Sequence, residues 1–142
     1  MKTSSNGIRF LQSQEGYSAH VYNDNGKDAI GYGHDLLPGE SFPLGLTQQQ
    51  ATDLLVVKDL PSREENVNRL APWANQNQFD ALVSFDYNLG ESHLETMLAH
   101  GRDQVPQQIL RWSYKKNPIS GIMEKSEPLL ERRQSELALF NS

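Results

Sequence analysis

The sequence predicts an α+β fold in which a small N-terminal β-hairpin lobe joins a larger, mainly helical lobe, with a cleft between them. Three observations support this prediction. Alternating apolar residues flank the turn-forming segment NDNGKD (23–28), which indicates a hairpin. Apolar residues at helical spacing dominate the chain after position 47. A length of 142 residues with 37% hydrophobic residues is typical of one globular domain.

The two predicted lobes divide a single domain over residues 1–142. Residues from about 17 to 36 form the hairpin lobe, because alternation replaces helical spacing there. Residues 1–16 and 47–142 form the helical lobe. The sequence contains no internal repeat and no block of like charge that would mark a second domain.

The first helix is predicted to begin at Ser4 or Ser5, which are favourable N-cap residues. Ile8 and Leu11 lie on one face of it, which we expect to be buried. Gly16 then ends the helix.

Two capping boxes predict the next helix starts. TQQQ (47–50) begins one helix, and Pro61 is expected to end or kink it. NQNQ (75–78) begins the helix whose apolar face marks it as the centre of the core, and Gly90 closes it.

The remainder of the chain is predicted to be helical throughout. SHLE (92–95) resembles a third capping box, Asp103 is expected to start another helix, and apolar residues line a last one over 130–140. The segment around 17–32 is therefore the one β region that the sequence indicates.

Composition excludes several classes of protein. With 13 basic and 18 acidic residues, a net charge of −5 argues against nucleic-acid binding. No apolar run approaches the roughly 18 residues of a membrane span, so we expect no membrane insertion. The start, MKTSSNGIRF, lacks the apolar core of a secretory signal, so we expect synthesis in the cytoplasm. The absence of cysteine excludes disulfides and thiolate catalysis.

Two carboxyl groups have surroundings that suit opposite roles in catalysis. Glu15 lies in the last turn of the first helix, where the negative end of the helix dipole disfavours an ionised carboxyl group. Asp24 lies in a polar turn, where backbone N–H groups and water favour the ionised form. Hydrolysis of a glycosidic bond needs such a pair. The spacing alone also allows that both are merely solvated acids.

Other motifs for catalysis or ligand binding are missing. An EF-hand calcium loop would need an acidic residue in place of Val21 and of Tyr32. Gly31 and Gly33 form only G-x-G, which is too little for a dinucleotide site. Neither H-E-x-x-H nor G-x-S-x-G occurs. We therefore expect no metal site and no cofactor.

Four segments carry a resemblance to a known family. The first contains Gly7-Ile8, Glu15-Gly16, Ala19-x-x-Tyr22-x-Asp24 and IGYGH (30–34). The others are NQFDALVSFDYNLG (77–90), LRWSY (110–114) and LLERRQSELALF (129–140). In this order they resemble the phage-type lysozymes, the endolysins of glycoside hydrolase family 24, over nearly the whole chain.

The resemblance implies a lysozyme-like fold and a muramidase. Such an enzyme hydrolyses the β-1,4 bond between N-acetylmuramic acid and N-acetylglucosamine in bacterial peptidoglycan, which leads to lysis of the host cell. It implies Glu15 as the proton donor and Asp24 as the second carboxylate. The implied substrate-binding residues are Tyr32, Tyr87, Asn88 and Thr96, and the implied supporting residues are His34, Arg132 and Arg133, one of the two arginines anchoring the catalytic glutamate.

Several of these side chains also have simpler interpretations. Tyr87 continues the apolar face of its helix and equally suits the core, and Asn88 suits a cap at that helix's end. His34 favours a structural hydrogen bond over proton transfer. Trp112 is more typical of packing than of sugar stacking, and Asp86 is either paired or exposed in the cleft.

The chain departs from the family pattern at one position. The family has glutamate, eight residues, aspartate, five residues and threonine, whereas here the loop is one residue shorter and Ala29 takes the threonine's place. Asp28 or a water molecule replaces the missing hydroxyl group, or turnover is slow. Two alternative functions follow, a lytic transglycosylase that uses Glu15 alone and a weakly active or inactive peptidoglycan-binding relative.

The resemblance also implies partners and a place of action. The expected substrate is the glycan strand of the periplasmic peptidoglycan, and a monomer is the expected state. The protein would wait in the host cytoplasm until a separate, holin-like protein permeabilised the membrane.

Overall fold

The computed structural model describes residues 1–142 and divides into two compact units. The hairpin unit comprises residues 5–62, and the helical unit comprises residues 1–4 and 63–142. The predicted α+β class is confirmed, because a three-stranded sheet occurs with helices that make up most of the remaining chain. None of the helices combines the length and apolar composition that a membrane crossing requires.

Two antiparallel strands and a two-residue turn form the predicted hairpin. Strand β1 (Ser18–Asp24) pairs with β2 (Lys27–Gly31). Asn25 and Gly26 form the turn with φ angles of 52° and 90°. A hairpin turn with positive φ at both positions matches the twist of the flanking strands, and Asn-Gly is its preferred sequence. The hairpin prediction is therefore confirmed.

A third strand and a loop complete the sheet of the hairpin unit. Strand β3 (His34–Asp35) pairs with β2 and was too short to predict from periodicity. The loop that follows returns to β1, where the Leu46 N–H donates to the Ala19 carbonyl at 2.8 Å. A Cβ at Gly45 would lie 2.5 Å from that carbonyl oxygen, so the close approach requires glycine.

Helices α1 and α2 begin where the sequence predicts, and the helical path changes before Pro61. Helix α1 (Ser5–Glu15) buries Leu11, and α2 (Gln48–Leu54) begins with the predicted capping box at Thr47. Pro61 was expected to end or kink this helix. Helix α2 ends at Leu54, and a π-helical segment leads from it directly into α3, which contains Pro61. The wider π turn before a proline relieves the clash with a preceding carbonyl. The segments concerned are the π segment Leu55–Asp59 and α3 (Leu60–Leu70).

The helical unit is built on α4 and α7, which pack against each other. Helix α4 (Gln76–Leu89) begins with the predicted capping box at Asn75 and ends at Gly90. Its residues from Phe79 to Asp86 are all buried, as expected for the central helix of a core. The other helices are α5 (Glu91–Leu98), a 3₁₀ turn (Arg102–Gln104), α6 (Val105–Ile109) and α7 (Glu127–Phe140).

The short helix predicted from the SHLE segment is α5, which begins at Glu91 and has Gly90 as its N-cap, so only the capping box was wrong. Two other predictions for the helical unit differ from the structure. The helix expected from Asp103 is a 3₁₀ turn followed by the five-residue α6. The chain after it is not helical throughout, since β4 (Tyr114–Lys116) and β5 (Met123–Lys125) form a second hairpin. Strands of three residues are too short for alternation to distinguish them from a loop.

Candidate active site

One face of the first hairpin presents the residues around the predicted catalytic aspartate. Asp24 is paired with Lys27 and Tyr22 with Ala29. Directly paired residues share a face of the sheet, and so do residues two positions apart on a strand. Asp24, Tyr22 and Ala29 therefore lie together on this face, which we call the hairpin face. The sequence alone identified Asp24 but not this grouping.

Asp24 is exposed and its carboxylate is engaged only by a neighbouring residue. It is the last residue of β1, and its Oδ1 accepts a hydrogen bond from the Asn25 side-chain amide at 3.3 Å. Exposure and a single long hydrogen bond leave the carboxylate accessible to water and substrate.

Glu15 is the last residue of α1, as predicted. The turn after it is closed by Gly16, whose N–H donates to the Gln12 carbonyl at 3.0 Å. The side chain is half-buried. It therefore lies at the point where the first helix passes into the strand that carries Asp24.

The Tyr22 phenol is affected by the charges of both carboxyl groups. Burial raises the pKa of this phenol, and the negative charges of Asp24 and Glu15 raise it further. Asp35 adds a smaller contribution in the same direction. Because charge effects of this kind fall off with distance, a single half-buried phenol lies within reach of both predicted catalytic groups.

The position that lacks the family's threonine is closed to solvent. Ala29 has 0% of its surface exposed. Asp28 is exposed and, as the adjacent residue of β2, points to the opposite face of the sheet. This register does not support the interpretation that Asp28 replaces the missing hydroxyl group.

His34 is held between two carboxylates. Its Nδ1 lies 2.8 Å from Asp59 Oδ1 and its Nε2 lies 2.7 Å from Glu40 Oε1. Burial alone would lower the pKa of His34, but the hydrogen bonds and charges of Glu40 and Asp59 raise it above its ordinary value. These contacts are those of a structural residue, which is the simpler of the two interpretations that the sequence left open.

Tyr32 lies against a second tyrosine of the hairpin unit. Its ring centroid is 5.8 Å from that of Tyr17, and only 8% of its surface is exposed. Little of Tyr32 is therefore available to a sugar in this conformation.

The predicted substrate-binding residues of the helical unit differ in their availability. Tyr87 is half-buried, while Asn88 and Thr96 are exposed. The Asn88 side-chain oxygen accepts a hydrogen bond from Arg133 Nη2 at 2.7 Å, so this residue braces the neighbouring helix rather than simply capping its own. The Thr96 hydroxyl donates to the Ser92 carbonyl at 2.9 Å.

The two predicted arginines belong to a buried network that the sequence did not reveal. Arg133 and Glu136 are both 0% exposed, and Arg133 Nε lies 2.7 Å from Glu136 Oε1. Arg132 Nη2 donates to the Ser84 carbonyl and hydroxyl oxygens at 3.2 Å. Glu136 also accepts from the Ser84 hydroxyl at 2.6 Å. The i,i+3 spacing of the arginine and glutamate on α7 was the one available signal.

The structure also distinguishes between the alternatives that the sequence left open for Asp86 and Trp112. Asp86 is fully buried and paired, because the Asn66 amide donates to it at 2.9 Å and Arg63 lies 3.7 Å away. Trp112 packs edge-to-face on Phe85, with ring centroids 5.9 Å apart. The packing interpretation of Trp112 is thus supported, although part of it also lines a surface cavity of about 370 Å³.

The structure distributes the predicted residues over both units. Glu15, Asp24, Tyr32 and His34 belong to the hairpin unit, and Tyr87, Asn88, Thr96, Arg132 and Arg133 to the helical unit. No group of three or more His, Asp or Glu side chains is arranged to hold a metal ion.

Comparison with known proteins identifies relatives of this chain. Residues 12–136 match the family model described as phage lysozyme. The endolysin of Salmonella phage P22 is 33% identical over 151 residues, covering 100% of this chain and 99% of the endolysin. The endolysin of Bacillus phage PZA is 36% identical over 155 residues, but the chain spans only 56% of that protein's length. Among solved structures, the muramidase domain of SpmX from Asticaccaulis excentricus has a TM-score of 0.87 at 32% identity, covering 99% of this chain and 98% of that domain.

Proposed function

Because the chain belongs to the phage lysozyme family, we propose that it is a cell-wall lytic enzyme that acts as a muramidase. It would hydrolyse the β-1,4 bond between N-acetylmuramic acid and N-acetylglucosamine in bacterial peptidoglycan. The α+β, lysozyme-like fold and the similarity to proteins described as endolysins and a muramidase domain support this proposal. We also propose that residues 1–142 act as a single domain, with the predicted cleft receiving the glycan strand.

The observation that best supports the chemistry is the different placement of the two carboxyl groups, with Glu15 at the end of α1 and Asp24 at the end of the next element, β1. Burial and the charges of both groups raise the pKa of Tyr22 on the hairpin face. One carboxyl group is half-buried at a helix end and the other is exposed beside a turn. Such different surroundings suit one group to donate a proton and the other to accept one.

The proposed reaction is a single displacement by water. Glu15 donates its proton to the glycosidic oxygen as the bond from that oxygen to C1 of the muramic acid breaks. Water attacks C1 and gives its proton to the Asp24 carboxylate. Glu15 ends as a carboxylate and Asp24 as an acid, and exchange with solvent restores both.

The remaining predicted residues keep supporting roles in this proposal. Tyr87, Asn88 and Thr96 would contact the glycan strand, together with Tyr32 after a change in its packing. Arg132 or Arg133 would fix the direction of Glu15, and His34 would hold the end of the sheet. Asn88 and Thr96 are exposed and Tyr87 is half-buried, so all three are more accessible than Tyr32.

We also propose a setting for this reaction. The protein would act as a monomer on periplasmic peptidoglycan, after a separate holin-like protein permeabilised the membrane. Neither a cofactor nor nucleic acid takes part in the proposed reaction.

The product of the reaction tests the proposal. Purified peptidoglycan is digested in ¹⁸O-labelled water and the released glycans are analysed by mass spectrometry. We expect reducing ends that carry one labelled oxygen. Anhydro-sugar ends without label would instead indicate a lytic transglycosylase, and binding to the walls without released glycans would indicate an inactive relative.

A further inference from the structure

Ala29 leaves the hairpin face without the hydroxyl group that the phage-type lysozymes have at this point. The residue directly across the hairpin is Tyr22, which has a hydroxyl group of its own. The Cβ atoms of directly opposed residues lie about 4.5–5.5 Å apart, and aromatic side chains reach across such pairs. Ala29 is completely buried although the adjacent pair, Asp24 and Lys27, is exposed.

Tyr22 is also close to Asp24 along the strand. Residues two positions apart on a strand share a face and lie about 7 Å apart. Because the register is regular from Tyr22 to Asp24, with its irregularity confined to the segment between Ser18 and Tyr22, this placement is fixed by the turn. The Tyr22 side chain therefore leaves the sheet on the same face as the carboxylate that would receive the proton of the attacking water.

The charge around Tyr22 keeps its hydroxyl group protonated. Burial and the charges of Asp24 and Glu15 raise the pKa of the phenol above its ordinary value of 10.0. A phenol in this state donates a hydrogen bond and does not itself act as a base near neutral pH.

We propose that Tyr22 is a positioning residue whose hydroxyl group holds the attacking water beside Asp24, where Ala29 offers no hydroxyl group. This inference rests on the proposed hydrolase function. The water oxygen bonds to C1 and its proton passes to Asp24, while the Tyr22 hydroxyl keeps its own proton throughout.

Removing the hydroxyl group tests the proposal. In Tyr22→Phe, we expect kcat on soluble glycan strands to fall about 10- to 100-fold with KM nearly unchanged, because the contact orients water and not the sugar. Tyr114→Phe is the matched control, since Tyr114 is 52% exposed on the second hairpin. This control should keep the full kcat.

Thermal melting checks that Tyr22→Phe and Tyr114→Phe both fold, so that a change in kcat reports on the hydroxyl group and not on unfolding.

The outcomes separate this inference from the proposed function. If the wild type releases no glycans, the hydrolase proposal fails and the role of Tyr22 with it. If the wild type is active but Tyr22→Phe retains its kcat, or loses activity only through KM, the Tyr22 proposal alone is overturned.

Discussion

The two hairpins of this protein differ in how they are anchored. The first has strands of seven and five residues and a two-residue turn, and it buries Ala29 and Ile30 completely. The second has two strands of three residues, all of them exposed. Burial fixes register, because a slip of one residue would move the buried side chains into solvent. The first hairpin can therefore hold reactive groups in fixed positions.

The second hairpin has acidic and basic side chains of its own but no comparable anchor. Glu124 lies opposite Lys115 and accepts a hydrogen bond from Asn117 at 3.0 Å. Ile119, in its loop, is 97% exposed. The comparison teaches that a carboxylate on a hairpin becomes a candidate for catalysis when buried neighbours fix its position, not merely because it is exposed.

The largest difference between the hairpins is expected in kcat, when one acidic residue of each is replaced. Asp24→Asn should lower kcat about 10²- to 10⁴-fold, because the variant cannot accept the proton of the attacking water. Glu124→Gln on the second hairpin should leave kcat within about 2-fold of the wild type. Initial rates of reducing-end formation provide the measurement. Equal losses in the two variants would remove the functional distinction between the hairpins.

The second-largest effect is expected on the free energy of unfolding, when an isoleucine of each hairpin is replaced. Ile30→Ala removes a completely buried side chain and should lower the free energy of unfolding by about 2–5 kcal/mol. Ile122→Ala removes a side chain that is 64% exposed and should change it by less than about 0.5 kcal/mol. Urea unfolding of both variants tests this, and a large loss in Ile122→Ala would show that the second hairpin is anchored after all.

The smallest effect is expected in the pH dependence of stability, through His34 at the end of the first sheet. The raised pKa of His34 means that its contribution to stability is complete below about pH 6.5 and is lost as pH rises through the folded-state value. The pKa of Glu40 is lowered, mainly by its hydrogen bond to His34, so its contribution is lost as pH falls through that lowered value. Burial raises the pKa of Asp59, so its own contribution has the same sign as that of His34: it is complete below about pH 3.8 and is lost as pH rises through the raised folded-state value.

The corresponding measurement is the free energy of unfolding of His34→Gln against pH. We expect the variant to be less stable than the wild type by about 1.5–3 kcal/mol between about pH 4.5 and 6.5, with the difference shrinking at higher pH. Glu40→Gln, which can still accept the Leu37 N–H, is the control for the charge. A difference that grows as pH rises would contradict the assigned direction.

Local signals were sufficient where the chain itself determines the structure. The Asn25-Gly26 turn and the capping boxes at Thr47 and Asn75 all formed as predicted, because each depends on residues within a few positions. The short helix predicted at Ser92 also formed, but Gly90 is its N-cap and Ser92 lies inside it. Near Pro61, the predicted change in the helix takes the form of a π segment that the sequence did not indicate.

Contacts between residues that are far apart in the sequence could not be predicted from local patterns. Asp59 is 25 residues from His34, and Ser84 is 52 residues from Glu136, so neither pair has a local pattern. Glu15 and Asp24 were identifiable from their surroundings in the sequence and from the family resemblance. The register that sets Tyr22 against Ala29 depends on the turn that the chain adopts, and the pairing became visible only in the fold.

The central claim is that Glu15 donates the proton that allows the glycosidic bond to break. Glu15→Gln keeps the shape of the side chain but has no such proton, so the test compares this variant with the wild type on purified peptidoglycan at equal folded concentration. The account predicts a fall in reducing-end formation of about 10³-fold or more, with the thermal midpoint within about 2 °C of the wild type. A folded Glu15→Gln variant with activity within 10-fold of the wild type, on the order of 1.4 kcal/mol, would contradict it.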